Sequence, residues 1–307
     1  MTRYTTTRVG NLAVLPDIPI STTAIVNIED LQVGDSGSAT PEEIEKLQQI
    51  IWKKQHLLID KGNALPPAAR GVVCDIDVGN AKPIATHAIS GKSRSLIKGL
   101  LAAEIIRPST SPWASQTVIT RTSNGVDIRL CIDYKLVNSL TRFMVYSMPL
   151  ISDLLEDLDK VLWYCSLDMA SGFWVMPMTD WARNISAFIT LFGLFEWSRM
   201  PFGLKYPQIY QRLVDNALYG FPKIPRSGDA RNTTDIVQTG IAEGPDRESV
   251  LRRRSYIDDT MITAKSWNQM WKRVEDLLEA CDKWSLSIGV TKSFWDMDKA
   301  TEYRSKA

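Results

Sequence analysis

Three aspartates stand where carboxylates are costly. Asp168 follows the mostly apolar run Val161-Leu162-Trp163-Tyr164-Cys165-Ser166-Leu167, and Asp258-Asp259 lie between Tyr256-Ile257 and Met261-Ile262. Runs of this composition read as buried strands, so each delivers acid to the edge of a sheet. Carboxylates packed together repel one another and shift upward in pKa, whereas a bound divalent cation keeps them ionised. Two strands aiming three carboxylates at one point is what phosphoryl transfer with a two-metal clamp requires. Asp-Asp is also a common turn dipeptide, so the pair alone does not separate chemistry from a plain turn.

The elements that must position these acids are legible around them. Thr40-Pro41-Glu42-Glu43 combines an N-cap, a proline at the first helical position and a capping-box glutamate. It predicts an amphipathic helix carrying Ile44, Leu47, Ile50, Ile51, Leu57 and Leu58 and stopping near Gly62-Asn63. A second helix is predicted through Leu96, Leu100 and Ile105 up to Pro108. Thr117–Thr120 and Ile128–Ile132 are strand-like about an Asn124-Gly125 hairpin signal, and the strands around Ala187–Phe192 and Leu194–Arg199 flank Gly193. Further helices are predicted from Pro149, over Gln208–Leu218, and after the cap Ser266 with Gln269 three residues on. Hairpins mixed with helices, rather than regular βα alternation, argue for an α+β fold.

Composition narrows the function classes. With 307 residues, 44% hydrophobic and 23% charged, the chain has enough apolar content for a real core. Cys74, Cys131, Cys165 and Cys281 lie far apart without CxxC spacing, and only His56 and His87 are histidines, which argues against a zinc site or a disulfide scaffold. No apolar run reaches the length of a membrane span, so a soluble, intracellular chain with no membrane partner is expected. The net charge of +1 is uninformative, but basic residues crowd the stretch from Lys92 to Arg142 and recur at Arg252-Arg253-Arg254.

Longer strings carry a family resemblance. Leu167-Asp168-Met169-Ala170-Ser171-Gly172-Phe173, Met200-Pro201-Phe202-Gly203-Leu204 and Tyr256-Ile257-Asp258-Asp259 occur in the order of the reverse transcriptase motifs called A, B and C. Ile106-Arg107-Pro108-Ser109-Thr110-Ser111-Pro112-Trp113-Ala114-Ser115 and Arg129-Leu130-Cys131-Ile132-Asp133-Tyr134 resemble the fingers of gypsy-class LTR retrotransposon Pol polyproteins. The resemblance covers about residues 65 to 298. It implies an α+β right-hand polymerase whose palm has a ferredoxin-like β-α-β core. The implied division is a linker-like segment 1–39, the helix region 40–64, fingers 65–147, and a palm 148–300 with a polar insertion at about 220–254. The tail 301–307 stands where relatives show a primer-grip hairpin, so thumb and primer grip are expected to be missing or truncated.

The same resemblance implies RNA-directed DNA polymerase activity, joining a dNTP to a primer 3′-hydroxyl on an RNA or DNA template. Asp168, Asp258 and Asp259 would hold two Mg²⁺ ions, with Mn²⁺ as a substitute. Lys292 would protonate departing pyrophosphate. Arg129, Phe173, Phe202, Gly203 and Tyr256 would bind the dNTP, Phe173 as the aromatic gate against a ribose 2′-hydroxyl and Arg129 as the triphosphate contact. The chain also departs from the family. Only Lys205-Tyr206 precede Pro207 after motif B, one residue fewer than usual, which turns a following helix by roughly 100° unless the loop absorbs it. Thr122-Ser123 replace a pair of lysines in the fingers. These departures keep open a catalytically impaired relic that at most binds nucleic acid.

Overall fold

Trp163–Met169 and Asp259–Ala264 are adjacent antiparallel strands, with Asp168 opposite Asp259 and Trp163 opposite Ala264. In Asp259–Ala264 every residue after the aspartate is buried, as the apolar run predicts for a strand covered on both faces. The computed structural model describes residues 12–14, 26–34, 39–59, 66–86, 94–121, 128–142, 146, 148, 163–170, 172–205, 207–219, 235–237 and 255–297. Its contacts group the chain into two units. One is built from residues 20–73, 144–177 and 206–307; the other from 1–19, 74–143 and 178–205.

The unit that holds the aspartates is built on a mixed sheet in the order Ser255–Tyr256, Asp259–Ala264, Trp163–Met169, Ile288–Met297 and Gln32–Val33. The first four strands pair antiparallel, whereas Gln32–Val33 and Leu58–Ile59 both run parallel to Ile288–Met297. The Trp267–Trp284 helix lies on the two central strands and buries Met270, Val274, Leu277, Leu278, Cys281 and Trp284. Ser266 caps it by accepting from the Gln269 amide, as predicted. The Pro207–Tyr219 helix packs beside it with Ile209, Tyr210, Leu213 and Val214 buried.

Thr40 and Glu43 form the predicted capping box of the Pro41–Trp52 helix, which packs on the Trp267–Trp284 helix. The predicted extent of this helix is corrected: it ends at Trp52, and Leu58-Ile59 become a strand opposite Ile288-Gly289. Sheet pairing satisfies the backbone there and leaves Leu57 and Leu58 buried. Lys54 and His56 both reach Asp282, which ties the connection to the neighbouring helix.

The other unit has a sheet in the order Leu12–Val14, Ile128–Asp133, Ser115–Arg121, Phe188–Thr190, Gly193–Trp197 and Ile106–Pro108. Both predicted hairpins are present, although the Asn124-Gly125 turn lies outside the described residues. Gly193 has φ +129°, the region that makes glycine the natural residue for that turn. Trp113, Phe188 and Trp197 fill the core, and the buried Glu196 carboxylate is met by Arg107 and Ser109.

The helix predicted from Pro149, the Arg252-Arg253-Arg254 cluster and, apart from the strand Asp235–Val237, the polar insertion lie outside the described residues. All four cysteines are buried thiols outside any disulfide, and burial pushes the Cys281 thiol up to about 12. That suits small core side chains. Among the described residues no helix is long and apolar enough to cross a membrane.

Candidate active site

Directly opposed residues on antiparallel strands share a face of the sheet, so the Asp168–Asp259 register sets two carboxylates side by side. Backbone bonds fasten this edge to the adjoining turns. The Met169 amide donates to the Asp258 carbonyl at 2.7 Å, and the Ala170 amide to the Ser287 carbonyl at 2.8 Å. The Asp168 amide donates to Ser293 Oγ at 3.0 Å, and the Ser293 hydroxyl donates to the Gly289 carbonyl at 2.6 Å.

A bulge makes that serine contact possible. Pairing moves from Gly289 opposite Asp168 to Phe294 opposite Ser166, five steps on one strand against two on its neighbour. Bulges re-aim side chains. Here Ser293 turns inward and is fully buried, whereas Lys292 stays exposed with Nζ 3.9 Å from Asp168 Oδ2.

Electrostatics at the edge are those of confined like charges. Burial, and then the charges of Asp168 and Asp259, push Asp258 up to about 7 against the pull of Lys292. Burial also raises Asp168, with Lys292 opposing and Asp259 reinforcing. Asp259 is raised by burial and drawn back by Lys292. Burial is the leading cause for all three, and like-charge repulsion adds to it at Asp258 and Asp168.

Whether these groups suit a divalent cation turns on their unused valence. Asp258 Oδ1 is buried without a hydrogen-bond partner among the described residues, an arrangement that is costly unless a cation takes the lone pairs. A Cβ on Gly172 would meet this oxygen at 2.0 Å, and one on Gly289 would meet Asp168 Oδ2 at 3.2 Å. Glycines therefore line the acids where side chains would crowd them. Among the described residues no three His, Cys, Asp or Glu side chains already converge as a finished cage. The acids fit a hard cation in charge and oxygen chemistry, with the remaining coordination left to water and substrate oxygens.

The Tyr256-Ile257-Asp258-Asp259 turn is itself strained. Ile257 has φ +52°, a left-handed conformation that a β-branched residue rarely adopts and that costs on the order of 1–3 kcal/mol. Its amide donates to Gln211 Oε1 at 2.7 Å. Gln211 Nε2 donates to Asp215 Oδ1 at 2.9 Å and to the Ser255 carbonyl at 3.2 Å. The Tyr146 hydroxyl donates to the other Asp215 oxygen.

Phe173 sits half-buried in the short 3-10 turn Gly172–Val175, its ring centroid 5.9 Å from that of Tyr210. The fully buried Tyr210 hydroxyl is raised well above its ordinary pKa by burial and then by Asp258. With the helix starting at Pro207, Gln211 reaches the turn despite the shortened approach to this helix.

The structure therefore gathers Asp168, Asp258, Asp259 and Lys292 at one sheet edge, with Tyr256 on the adjoining strand and Phe173 four residues past Met169. Arg129, Phe202 and Gly203 belong to the other unit. Arg129 lies opposite Thr120 in its hairpin, and only its backbone is among the described features. Gly203 has φ +90°, and the buried Asn138 holds its loop with both ends of one amide: Nδ2 donates to the Gly203 carbonyl at 2.8 Å, and Oδ1 accepts from the Lys205 amide at 3.0 Å. Sequence reasoning missed Ser293, Gln211, Asp215 and Asn138. The available signal for Gln211 and Asp215 was two polar residues, one helical turn apart, on an otherwise apolar face.

Comparison with known proteins agrees with this geometry. Among solved structures, the foamy viral protease-reverse transcriptase in complex with dsDNA superposes with a TM-score of 0.68 at 19% identity, covering 90% of this chain and 54% of that one. The same protein in complex with RNA/DNA hybrid gives 0.66 at 17%, covering 87% and 32%. These likenesses establish the reverse transcriptase palm fold. In sequence, the Retrovirus-related Pol polyprotein from transposon opus of Drosophila melanogaster is 28% identical over 218 residues, 69% of this chain and 19% of that protein. The Enzymatic polyprotein of Cauliflower mosaic virus (strain NY8153) is 34% identical over 131 residues, 41% of this chain and 19% of that protein. The chain thus spans at most about a fifth of the length of these polyproteins. Residues 123–303 match the family described as Reverse transcriptase (RNA-dependent DNA polymerase). On its sheet-edge carboxylates, its fold and this match over more than half its length, the chain belongs to the reverse transcriptase family.

Proposed function

We propose that this chain is the polymerase part of a retroelement Pol polyprotein and extends a primer 3′-hydroxyl with deoxynucleotides on a nucleic-acid template. The observation that carries this reading is the trio Asp168, Asp258 and Asp259 at one sheet edge, with Asp258 Oδ1 lacking a hydrogen-bond partner among the described residues. Bound there by the three aspartates, two Mg²⁺ ions, or Mn²⁺ in their place, would supply the positive charge that acidifies the primer hydroxyl and offsets charge on pyrophosphate.

The remaining roles fall to protein groups. Lys292, beside Asp168, donates a proton to the leaving pyrophosphate. Phe173 excludes a ribose 2′-hydroxyl through the bulk of its ring, and Tyr256 borders the same site. Arg129 grips the triphosphate, and Phe202-Gly203 support the nascent base pair, where glycine permits close backbone approach. A primer-template partner is supported by the foamy viral protease-reverse transcriptase, solved with dsDNA and with RNA/DNA hybrid. In this reading, fingers occupy about residues 65–147 and the palm 148–300.

Primer extension on an RNA template with Mg²⁺ and dNTPs tests the proposal, with Asp258→Asn as the control. Extension should fall by about 10²- to 10³-fold in the variant, the scale of losing one main electrostatic contributor. Equal signal from both proteins would sink the catalytic reading. A salt-dependent shift of a primer-template duplex without extension would identify a nucleic-acid binder that has lost turnover.

A further inference from the structure

We infer that Gln211 is the positioning residue of the Asp258-Asp259 turn: its amide, itself aligned by Asp215 and Tyr146, holds Ile257 in the left-handed conformation that aims the carboxylates. The inference rests on the polymerase reading for its consequence in catalysis, but its geometry is independent of that reading.

The amide has one usable orientation. The Ile257 amide can only donate, so it takes the Gln211 carbonyl oxygen, at 2.7 Å, and turns the NH₂ toward the fully buried Asp215, whose Oδ1 accepts from it. The same NH₂ also reaches the Ser255 carbonyl at 3.2 Å, so one side chain grips the chain on both sides of Tyr256. Tyr146 secures the far oxygen of Asp215 and completes the line from hydroxyl to strained turn.

Packing alone would not select these residues. Ile209, Tyr210, Leu213 and Val214 on the same helix are buried, so a leucine would suit position 211 better if filling space were its task. A glycine at 257 would adopt φ +52° without help, but this chain carries isoleucine and needs an external restraint there. Asp258 follows directly, and its backbone carbonyl receives the Met169 amide at 2.7 Å. Releasing Ile257 would therefore disturb both strands that carry the acids.

The test is a cycle of Gln211→Leu and Ile257→Gly in the full chain, with melting curves to establish that each variant folds. Two readouts are taken: Mn²⁺ affinity, from the electron paramagnetic resonance signal of free Mn²⁺, and primer-extension kcat and KM. Gln211→Leu should weaken Mn²⁺ binding about 10-fold and lower kcat by about 10- to 100-fold, with the dNTP KM held within about 3-fold. In the Ile257→Gly background, the same change should cost less than about 3-fold in either readout, because no strained conformation remains to be held. Equal losses in both backgrounds would assign Gln211 to packing and overturn the inference, as would unchanged Mn²⁺ affinity. If Gln211→Leu does not fold, Tyr146→Phe takes its place in the cycle with a loss of about 3-fold, and no change in Mn²⁺ affinity there overturns the inference. A chain that binds Mn²⁺ through Asp258 but extends no primer defeats the polymerase reading, while the Mn²⁺ cycle still decides on Gln211. A chain that binds no Mn²⁺ overturns both.

Discussion

The three aspartates hold charge where the fold makes charge costly, and that has a thermodynamic signature. Asp258 is pushed up to about 7, whereas in the unfolded chain it titrates near an ordinary aspartate value of about 3.9. Between those values the folded state binds more protons than the unfolded one, so this group's contribution to stability declines as pH rises from about 4 through about 7. Asp258→Asn should therefore raise the melting temperature of metal-free protein at pH 8 and raise it distinctly less at pH 5. Mg²⁺ should stabilise the parent chain and leave the variant nearly unmoved. Melting curves at the two pH values, with and without Mg²⁺, check this; equal shifts at both would contradict it. Gly172→Ala tests steric room at the same residue scale. A Cβ 2.0 Å from Asp258 Oδ1 must displace that carboxylate, so Mn²⁺ affinity should fall by about 10-fold or more while the melting temperature falls only modestly.

At the scale of elements, the bulge in Ile288–Met297 does two things at once. It sends Ser293 inward to the Asp168 amide and leaves Lys292 outside near the carboxylate. Ser293→Ala removes the acceptor for a backbone donor at the sheet edge and should cost about 1–3 kcal/mol. Hydrogen exchange at the Asp168 amide should quicken while that of Ile262, deep in the neighbouring strand, holds; matched rates at Asp168 in both proteins would contradict the assignment. The start of the Pro41–Trp52 helix was legible because Thr40, Pro41 and Glu43 form a local signal. Its end was not. Leu57 and Leu58 continue the helical period in sequence, but a strand edge more than 200 residues away competes for them. The bulge was equally hidden, since an unpaired stretch of strand has meaning only relative to its partner.

At the scale of the molecule, residues ahead of the family match are part of the sheet that carries the acids. Gln32–Val33 and Leu58–Ile59 pair with Ile288–Met297, and the helix between them buries Leu47 and Ile51. Leu47→Ala should cost about 2–5 kcal/mol and lower the unfolding transition of the aspartate-bearing unit as a whole. A separate early transition that leaves the main one in place would show the segment to be an appendage.

Sequence alone determined the family and marked out the three aspartates, because the spacing of acids, glycines and apolar runs is a local property of the chain. It also determined most hairpins and caps, which depend on a few neighbouring residues. Tertiary structure alone decided that Asp168 stands opposite Asp259, that Ser293 bonds the Asp168 amide and that Gln211 restrains Ile257. Those relations join residues between 46 and 125 positions apart, so they exist only once long-range pairing has set the register.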